Sequence, residues 1–513
     1  MGIRRRELHT DRSSGIGIMG MQDLKKKPEQ KDEDRIMELN FGQVRGLPEQ
    51  EQQWLNELKE IYDYHRSANR MKRRYYNGKI TLNEVNLGIA LPSGFGRLEI
   101  GCSWGAKTVD VLAARSMFDG FVTENGTESD EMNAIMKRNH LIAEYNKAVK
   151  EELKYGCAFA AVSGEAGDAR VRFYSPHCAA ASWDASEARI KYGFAFEDAK
   201  RDESDITWSP DHVNFYTETE IWQLDRVGGT WYAEATPHDF GQPLMVAMIW
   251  DATNDKPFGQ SRLKEPVRRL IQGYVRTVAN ATIGLEFATS PQKYLLGVSD
   301  EQYDALVNEK FKQYVGSILY STTNPETGEK PSFGQLSQGN IEPHVQMLRM
   351  LSTQYSAATG LTVTDVGVVN DANPTSSDAI LAQSQTLILL AEQLNKANGD
   401  SLYRIGRMAL AIELGTTPDD LTDDMTEIIA HFKNPAMPSI AATTDAALKI
   451  ATARQGFAQT DIFLEMIGFD QADIRRIRAQ EQRAKGESIL TEEFGNADND
   501  KGLDGVHNQD VTD

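Results

Sequence analysis

Residues 261–287, SRLKEPVRRLIQGYVRTVANATIGLEF, carry the pattern that decides how this chain is built. Leu263, Val267, Leu270, Ile271, Tyr274, Val275, Val278 and Leu285 recur at helical spacing, while Arg262, Arg269 and Arg276, seven residues apart, line up nearly opposite them. The spacing predicts an amphipathic helix with one packing face and one cationic face. Pro266 is tolerated because it falls in the first turn, or it marks a slight kink. At 1.5 Å per residue such a helix is about 40 Å long.

Working outward, Ser290-Pro291 ends that helix, and residues 291–340 read as a small mixed unit: a helix near 300–314, a strand near 317–320 and the turn Asn324-Pro325-Glu326-Thr327-Gly328. A second helix follows from Glu342 to Ala358. Two long helices thus bracket a compact knob. Thr362 to Ser377 reads as a loop, and Ser376 or Ser377 caps a further helix from Asp378 to Leu414, apolar over much of its circumference and therefore buried. Ala441 to Gly486 gives two or three more helices. Upstream, 48–74, 106–118 and 130–155 read as helices, and 157–249 as short strands separated by turns, including 171–173, 190–196, 213–215, 221–224 and 231–232.

The chain has 513 residues, too many for one hydrophobic core, so two or more packed regions are expected. Residues 1–48 hold two basic triplets and little apolar periodicity, and read as a flexible arm. Residues 487–513 carry Glu487, Glu492, Glu493, Asp498, Asp500, Asp504, Asp510 and Asp513 against Lys501, and read as a disordered acidic tail. No apolar run approaches the roughly 20 residues of a membrane span and no signal segment opens the chain, so no membrane is expected and the chain is expected to stay in the cytoplasm where it is made. The net charge of −20 argues against a protein that grips nucleic acid over a wide surface and suits a conduit through which DNA slides.

Chemistry-bearing motifs are weak. Gly15 to Gly20 matches GxGxxG without a flanking βαβ unit, and Gly101-Cys102-Ser103-Trp104-Gly105-Ala106-Lys107-Thr108 is one residue short of a phosphate loop. Cys102, Cys157 and Cys178 show neither disulfide nor zinc spacing and read as small buried hydrophobes; the His residues show no ligand spacing, and His177 beside Cys178 places diverging side chains. Trp208, Trp222, Trp231 and Trp250 read as core and not as a base-stacking platform. No cofactor, no metal and no enzymatic activity are expected.

The ordered series Arg74-Tyr75-Tyr76-Asn77-Gly78, Gly105 to Phe121, Tyr155-Gly156-Cys157-Ala158-Phe159, Ser175-Pro176-His177, Phe258-Gly259-Gln260-Ser261, Ser290-Pro291-Gln292-Lys293-Tyr294, Thr359-Gly360-Leu361 and Ser377-Asp378-Ala379-Ile380 resembles the portal protein family of tailed double-stranded DNA bacteriophages, siphophage type. The order and spacing over roughly residues 50–485 carry the likeness. It implies an α+β, predominantly α-helical portal fold with wing, stem, clip and crown: 49–260 wing, 261–289 first stem helix, 290–341 clip, 342–361 second stem helix, 362–377 tunnel loop, 378–438 long wing helix and return, 439–486 crown. It further implies a dodecameric ring in the virion, at the unique capsid vertex, with double-stranded DNA passing through its channel in packaging and ejection. Its partners would be the terminase large subunit on the clip, then a head-tail adaptor protein, and the major capsid and scaffolding proteins outside.

On this likeness Thr364, Asp365, Asn370, Asp371 and Asn373 form a polar, weakly binding constriction, and Lys293, Tyr294, Lys310 and Lys312 serve clip docking. The Arg262, Arg269, Arg276 line either faces the lumen or pairs with acids of the neighbouring subunit. Two other readings stay open: a monomeric phage scaffolding or adaptor protein, and a metal-dependent nucleic-acid enzyme, which requires carboxylates clustered at defined spacing.

Overall fold

A computed structural model describes residues 39–80, 100–123, 130–197, 199–201, 208–289, 293–296, 328, 330, 332–335, 340–367, 377–422, 428–436, 440–469 and 473–486. The helices are α1 (Glu49–Tyr76), α2 (Trp104–Ala113), α3 (Asp130–Asn139), α4 (Leu141–Tyr155), α5 (Glu265–Thr289), α6 (Glu342–Thr359), α7 (Ser377–Leu414), α8 (Ile440–Ala453) and α9 (Asp461–Met466), and residues 473–486 are helical as well.

Residues 130–155, expected as one helix, are two. His140 adopts a left-handed conformation (φ 50°) and interrupts the ladder between α3 and α4. The helix expected over 106–118 ends at Ala113, and Phe118 opens a strand, Phe118–Thr123, which pairs antiparallel with Ile428–Phe432. A return segment three hundred residues away therefore claims Phe118, a pairing no local periodicity announces.

The β-rich unit holds a five-stranded antiparallel sheet in the order Thr230–Pro237, Glu220–Val227, His212–Tyr216, Arg189–Ala195, Ala179–Asp184, and a three-stranded one in which Cys157–Ser163 lies between Met245–Ile249 and Arg170–Tyr174. One face of the five-stranded sheet packs Phe194, Phe215, Trp222, Leu224 and Trp231 against Leu55, Leu58 and Tyr62 of α1. This core also takes in Leu39, Phe41 and Val44. Residues 39–47 were expected within the flexible arm; instead Arg45 N–H donates to Trp231 O at 2.9 Å, Ala233 N–H to Arg45 O at 2.8 Å, and the Trp231 indole to Asn40 O at 2.9 Å. Three apolar residues in so short a run show no period, so only the sheet reveals their role. Trp222, Trp231 and Trp250 are buried, as expected.

The second core joins α2, α4, the three-stranded sheet, α5, α6 and α7. Leu387, Leu394, Leu402, Ile405 and Met408 of α7 are all buried, the all-round apolarity of that helix matching its central place. Helices α5 and α6 pack against each other, and a Cβ at Gly273 of α5 would lie 3.3 Å from Leu351 of α6, so glycine sets the closeness of the pair.

Candidate channel elements at the root of the helix pair

The chain turns into α5 through a corner that glycine and serine make possible. Gly259 has φ +68°, and a Cβ there would meet Trp250 O at 2.1 Å. The Ser261 hydroxyl donates to Lys154 O at 2.5 Å and accepts from Leu263 N–H at 2.9 Å, and Arg262 N–H donates to Leu153 O at 2.9 Å. The start of the pair is thereby tied to the end of α4.

The three arginines separate here. Arg262 lies before the helix, which begins at Glu265, and is buried: Nε donates to Thr108 O at 2.7 Å, Nη2 donates to Thr359 O at 2.5 Å, and the guanidinium lies 5.6 Å from the Trp250 ring. Burial lowers its pKa to about 10. It serves neither a lumen face nor a neighbouring subunit, because α2, α6 and Trp250 already enclose it. Helical spacing extrapolated three residues past the true N-terminus had placed it with the others. Arg269 is exposed and reaches back to Glu265 Oε1 from Nε (3.1 Å) and Nη2 (2.8 Å), and Arg276 is half-buried.

The described part of the segment expected as the tunnel loop, 362–367, is a folded turn. Thr362 N–H and Oγ1 donate to Asp365 Oδ2 at 3.0 and 2.8 Å, and Asp365 N–H donates back to Thr362 Oγ1 at 3.1 Å. Asp365 thus spends its carboxylate within the turn, whereas Thr364 is exposed. Two side chains of α2 hold this turn: Lys107 Nζ donates to Asp365 O at 2.6 Å and the Trp104 indole donates to Val366 O at 3.2 Å. Asn370, Asp371 and Asn373 lie outside the described residues.

Trp104 also packs on Tyr274 of α5 and Tyr355 of α6, with ring centroids 4.2 and 4.6 Å away. The Tyr355 hydroxyl donates to Trp104 O at 2.9 Å and makes a close contact with the Thr108 hydroxyl; burial raises its pKa. Gly105 is needed because a Cβ would strike Tyr75 O at 2.2 Å. The stretch 101–108, which looks like a shortened phosphate loop, is therefore the wedge on which both helices of the pair and the following turn converge. Sequence reading missed its role; the signal available was a Trp and a Lys three residues apart in a helix start with no phosphate-loop spacing.

In the knob, Lys293–Leu296 pairs antiparallel with Ser332–Gln335, with Lys293 opposite Gln335 and Tyr294 opposite Gly334. Lys310 and Lys312, the helix expected near 300–314 and the strand expected near 317–320 lie outside the described residues, as does the Gly15 to Gly20 string. Leu285 on α5, and Val345, Met347 and Met350 on α6, are exposed, so the pair presents apolar side chains that its own protomer leaves uncovered.

A buried polar chain joins α4 to α7. Asn398 Nδ2 donates to Glu152 Oε2 at 2.9 Å and to the Tyr145 hydroxyl at 3.1 Å, and Tyr145 shares a 2.6 Å bond with Ser116 Oγ. Burial raises the Glu152 pKa to about 8. Glu152 falls in the i, i+3, i+4, i+7 row with Tyr145, Ala148 and Val149, a visible charge in an apolar stripe. His177 Nε2 meets the Tyr155 hydroxyl at 3.0 Å and burial lowers its pKa to about 4; Cys102 and Cys157 are buried thiols raised to about 11 and 12, while Cys178 is half-buried. Among the described residues no cluster of three His, Cys, Asp or Glu side chains could hold a metal, and no helix is long and apolar enough to cross a membrane.

These features define a structural class: a helix pair whose intervening segment holds a two-stranded ladder, rooted in a wedge beside a polar turn. Residues 55–487 match the family described as phage portal protein, SPP1 Gp6-like, and the chain belongs to that family. It is 24% identical over 284 residues to the portal protein of Mycobacterium phage D29 and 25% identical over 285 residues to that of Mycobacterium phage L5, covering 54% of this chain and 57% of each relative. The chain spans somewhat over half the length of these curated relatives. Among solved structures it is similar to a chain of the native gene transfer agent virion (13% identity, TM-score 0.41, covering 71% of this chain and 89% of that one) and to one from the neck of the empty particle computed with C6 symmetry (14%, 0.42, 70% and 87%).

Proposed function

We propose that this chain is a portal protein that assembles into a dodecameric ring at the unique capsid vertex and forms a channel for DNA packaging and ejection. The family match across residues 55–487 carries this reading. The exposed apolar side chains Leu285, Val345, Met347 and Met350 support it, since shoulder-to-shoulder packing of helix pairs in a ring would cover apolar surface of this kind. The ring is non-enzymatic. Residues 290–341 seat the terminase large subunit, which supplies the work, and later the head-tail adaptor; the wing meets the major capsid and scaffolding proteins. The segment 362–377 faces the passing DNA with few fixed cations, and Arg269 pairs subunits or lines the bore. The ring resides in the virion and assembles in the host cytoplasm.

Native mass spectrometry and negative-stain imaging of the purified protein test it. Rings of about a dozen subunits are expected. A 57.2 kDa monomer at high concentration, or ATP hydrolysis by the purified chain alone, would overturn the proposal and favour an adaptor or an enzyme.

A further inference from the structure

A cleft of about 490 Å³ opens between α1, the Ala179–Ala181 edge of the five-stranded sheet and the lead-in to α5. Its floor is apolar, built from Ile61, Phe159, Phe258 and Leu263, and Lys72, Lys264 and Arg268 stand at its margin. The cations are partly engaged within the protein: Lys72 Nζ donates to Tyr155 O at 2.9 Å and to Asn69 Oδ1 at 3.4 Å, Lys264 Nζ donates to Asp251 Oδ2 at 2.6 Å, and Arg268 donates from Nη1 to Leu263 O at 2.5 Å and lies 5.9 Å from the Tyr75 ring. An ammonium has three donors and a guanidinium five, so Lys264 and Arg268 keep most of their donors for a ligand and Lys72 keeps one. Glu265, the carboxylate at the margin, is engaged by Arg269. In a chain of net charge −20, a cleft with three cations around an apolar floor selects an acidic partner that also carries apolar side chains.

The chain itself contains such a segment. Residues 487–513 hold eight carboxylates against Lys501, and the first eight of them place Ile489, Leu490 and Phe494 around Glu492 and Glu493. The family match stops at residue 487, so this segment lies outside it. At 3.3–3.6 Å per residue, 27 residues reach up to about 90 Å from Gly486. We infer that the cleft between α1 and the start of α5 is the docking site for the acidic C-terminal segment, with Phe494 or the Ile489-Leu490 pair on the apolar floor and Glu492 and Glu493 against Lys72, Lys264 and Arg268. The segment then braces the root of the helix pair against α1.

The test uses the full chain with a photo-reactive benzoylphenylalanine in place of Phe494, irradiated and mapped by mass spectrometry. Adducts are expected on peptides containing Ile61–Lys72 or Phe258–Arg268. The combined Lys264→Glu and Arg268→Glu variant should lose adduct yield by about tenfold, and adding Glu492→Lys and Glu493→Lys should restore it. Adducts confined to other surfaces, or a yield that ignores both charge reversals, would overturn the inference. If the reversed variant fails to fold, raising the ionic strength of the unreversed protein from about 0.05 to about 0.5 M should itself lower the yield several-fold, and an unchanged yield counts against charge-guided docking.

Discussion

Replacing Glu152 by Gln should stabilise the protein at neutral and alkaline pH and do nothing near pH 4.5. The carboxyl is fully buried between α4 and α7, and burial raises its pKa from 4.5 to about 8, the hydrogen bond from Asn398 offsetting that only in part. Between those two values the native state keeps a proton that the unfolded chain has released, so stability falls as pH rises, by about 1.4 kcal/mol per unit. The loss reaches about 3 kcal/mol at pH 7 and levels off near 5 kcal/mol above pH 8. Gln is neutral throughout, keeps an oxygen for Asn398 Nδ2, and gains an amide that can meet Asn398 Oδ1, which has no hydrogen-bond partner among the described residues. The neighbouring Tyr145 hydroxyl and Cys157 thiol are both raised and stay neutral across this window. With an unfolding entropy near 2.1 cal/mol/K per residue, a chain of this length shifts by roughly 1 °C per kcal/mol, so Glu152→Gln should melt about 3 °C above the parent at pH 7. Thermal melts of both proteins from pH 4.5 to 9 measure the difference at each step. A difference that stays flat with pH, or that shrinks between pH 5 and 8, would refute the buried-proton reasoning.

Arg262→Ala should cost about 2–4 kcal/mol by removing a buried side chain with its hydrogen bonds to Thr108 O and Thr359 O, whereas Arg269→Ala, which loses an exposed i,i+4 pair with Glu265, should leave stability nearly unchanged. Melting temperatures decide this, and equal shifts would place the two arginines in the same environment after all. Lys107→Ala should release the 362–367 turn, speeding amide exchange at Gly367, which donates to Thr364 O at 3.0 Å, by about tenfold while leaving α5 unchanged. Unaltered exchange there would remove Lys107 from the role assigned to it.

Where a signal in the chain is local, the sequence announces it. The 265–289 helix, its partner at 342–359 and the 377–414 helix were all legible because their apolar positions repeat every three to four residues over several turns, and five of the strands were legible from short β-branched and aromatic runs. Pairings that close over long separations were not. Phe118 could not be known as a strand residue without Phe432, nor Phe41 as core without Trp231, because neither contact leaves a period in the chain. Candidate site residues divided in the same way. Arg269 sits on the exposed face its spacing assigned, while Arg262, at the same spacing, lies beyond the first helical turn, where periodicity has no meaning. Asp365 looked like a lumen carboxylate and is a turn-forming one, a distinction that rests on Thr362 three residues earlier, the Thr-x-x-Asp pattern by which a side chain closes its own turn.

The arrangement of α2 gives these residues a common mechanical meaning. Ten residues long, this helix offers Thr108 O to Arg262 at the root of α5, the Trp104 ring to Tyr274 and Tyr355, and Lys107 and the Trp104 indole to the turn after α6. Its own position is set from behind by Gly105 pressed on Tyr75 and by the bond from the Tyr76 hydroxyl to Asp110 at 2.9 Å. Any displacement of the helix pair that opened Arg262 from Thr108 would have to move Trp104, and with it the carbonyl of Val366. The root of the helix pair and the turn therefore cannot shift independently without breaking hydrogen bonds, of which those of Arg262 to Thr108 O and of the Trp104 indole to Val366 O are buried and cost about 1–3 kcal/mol each to leave unmade. In a ring of such protomers, strain entering along the helix pairs would arrive at the polar turn through α2, and the wedge, not the turn's own sequence, would set how far that turn yields.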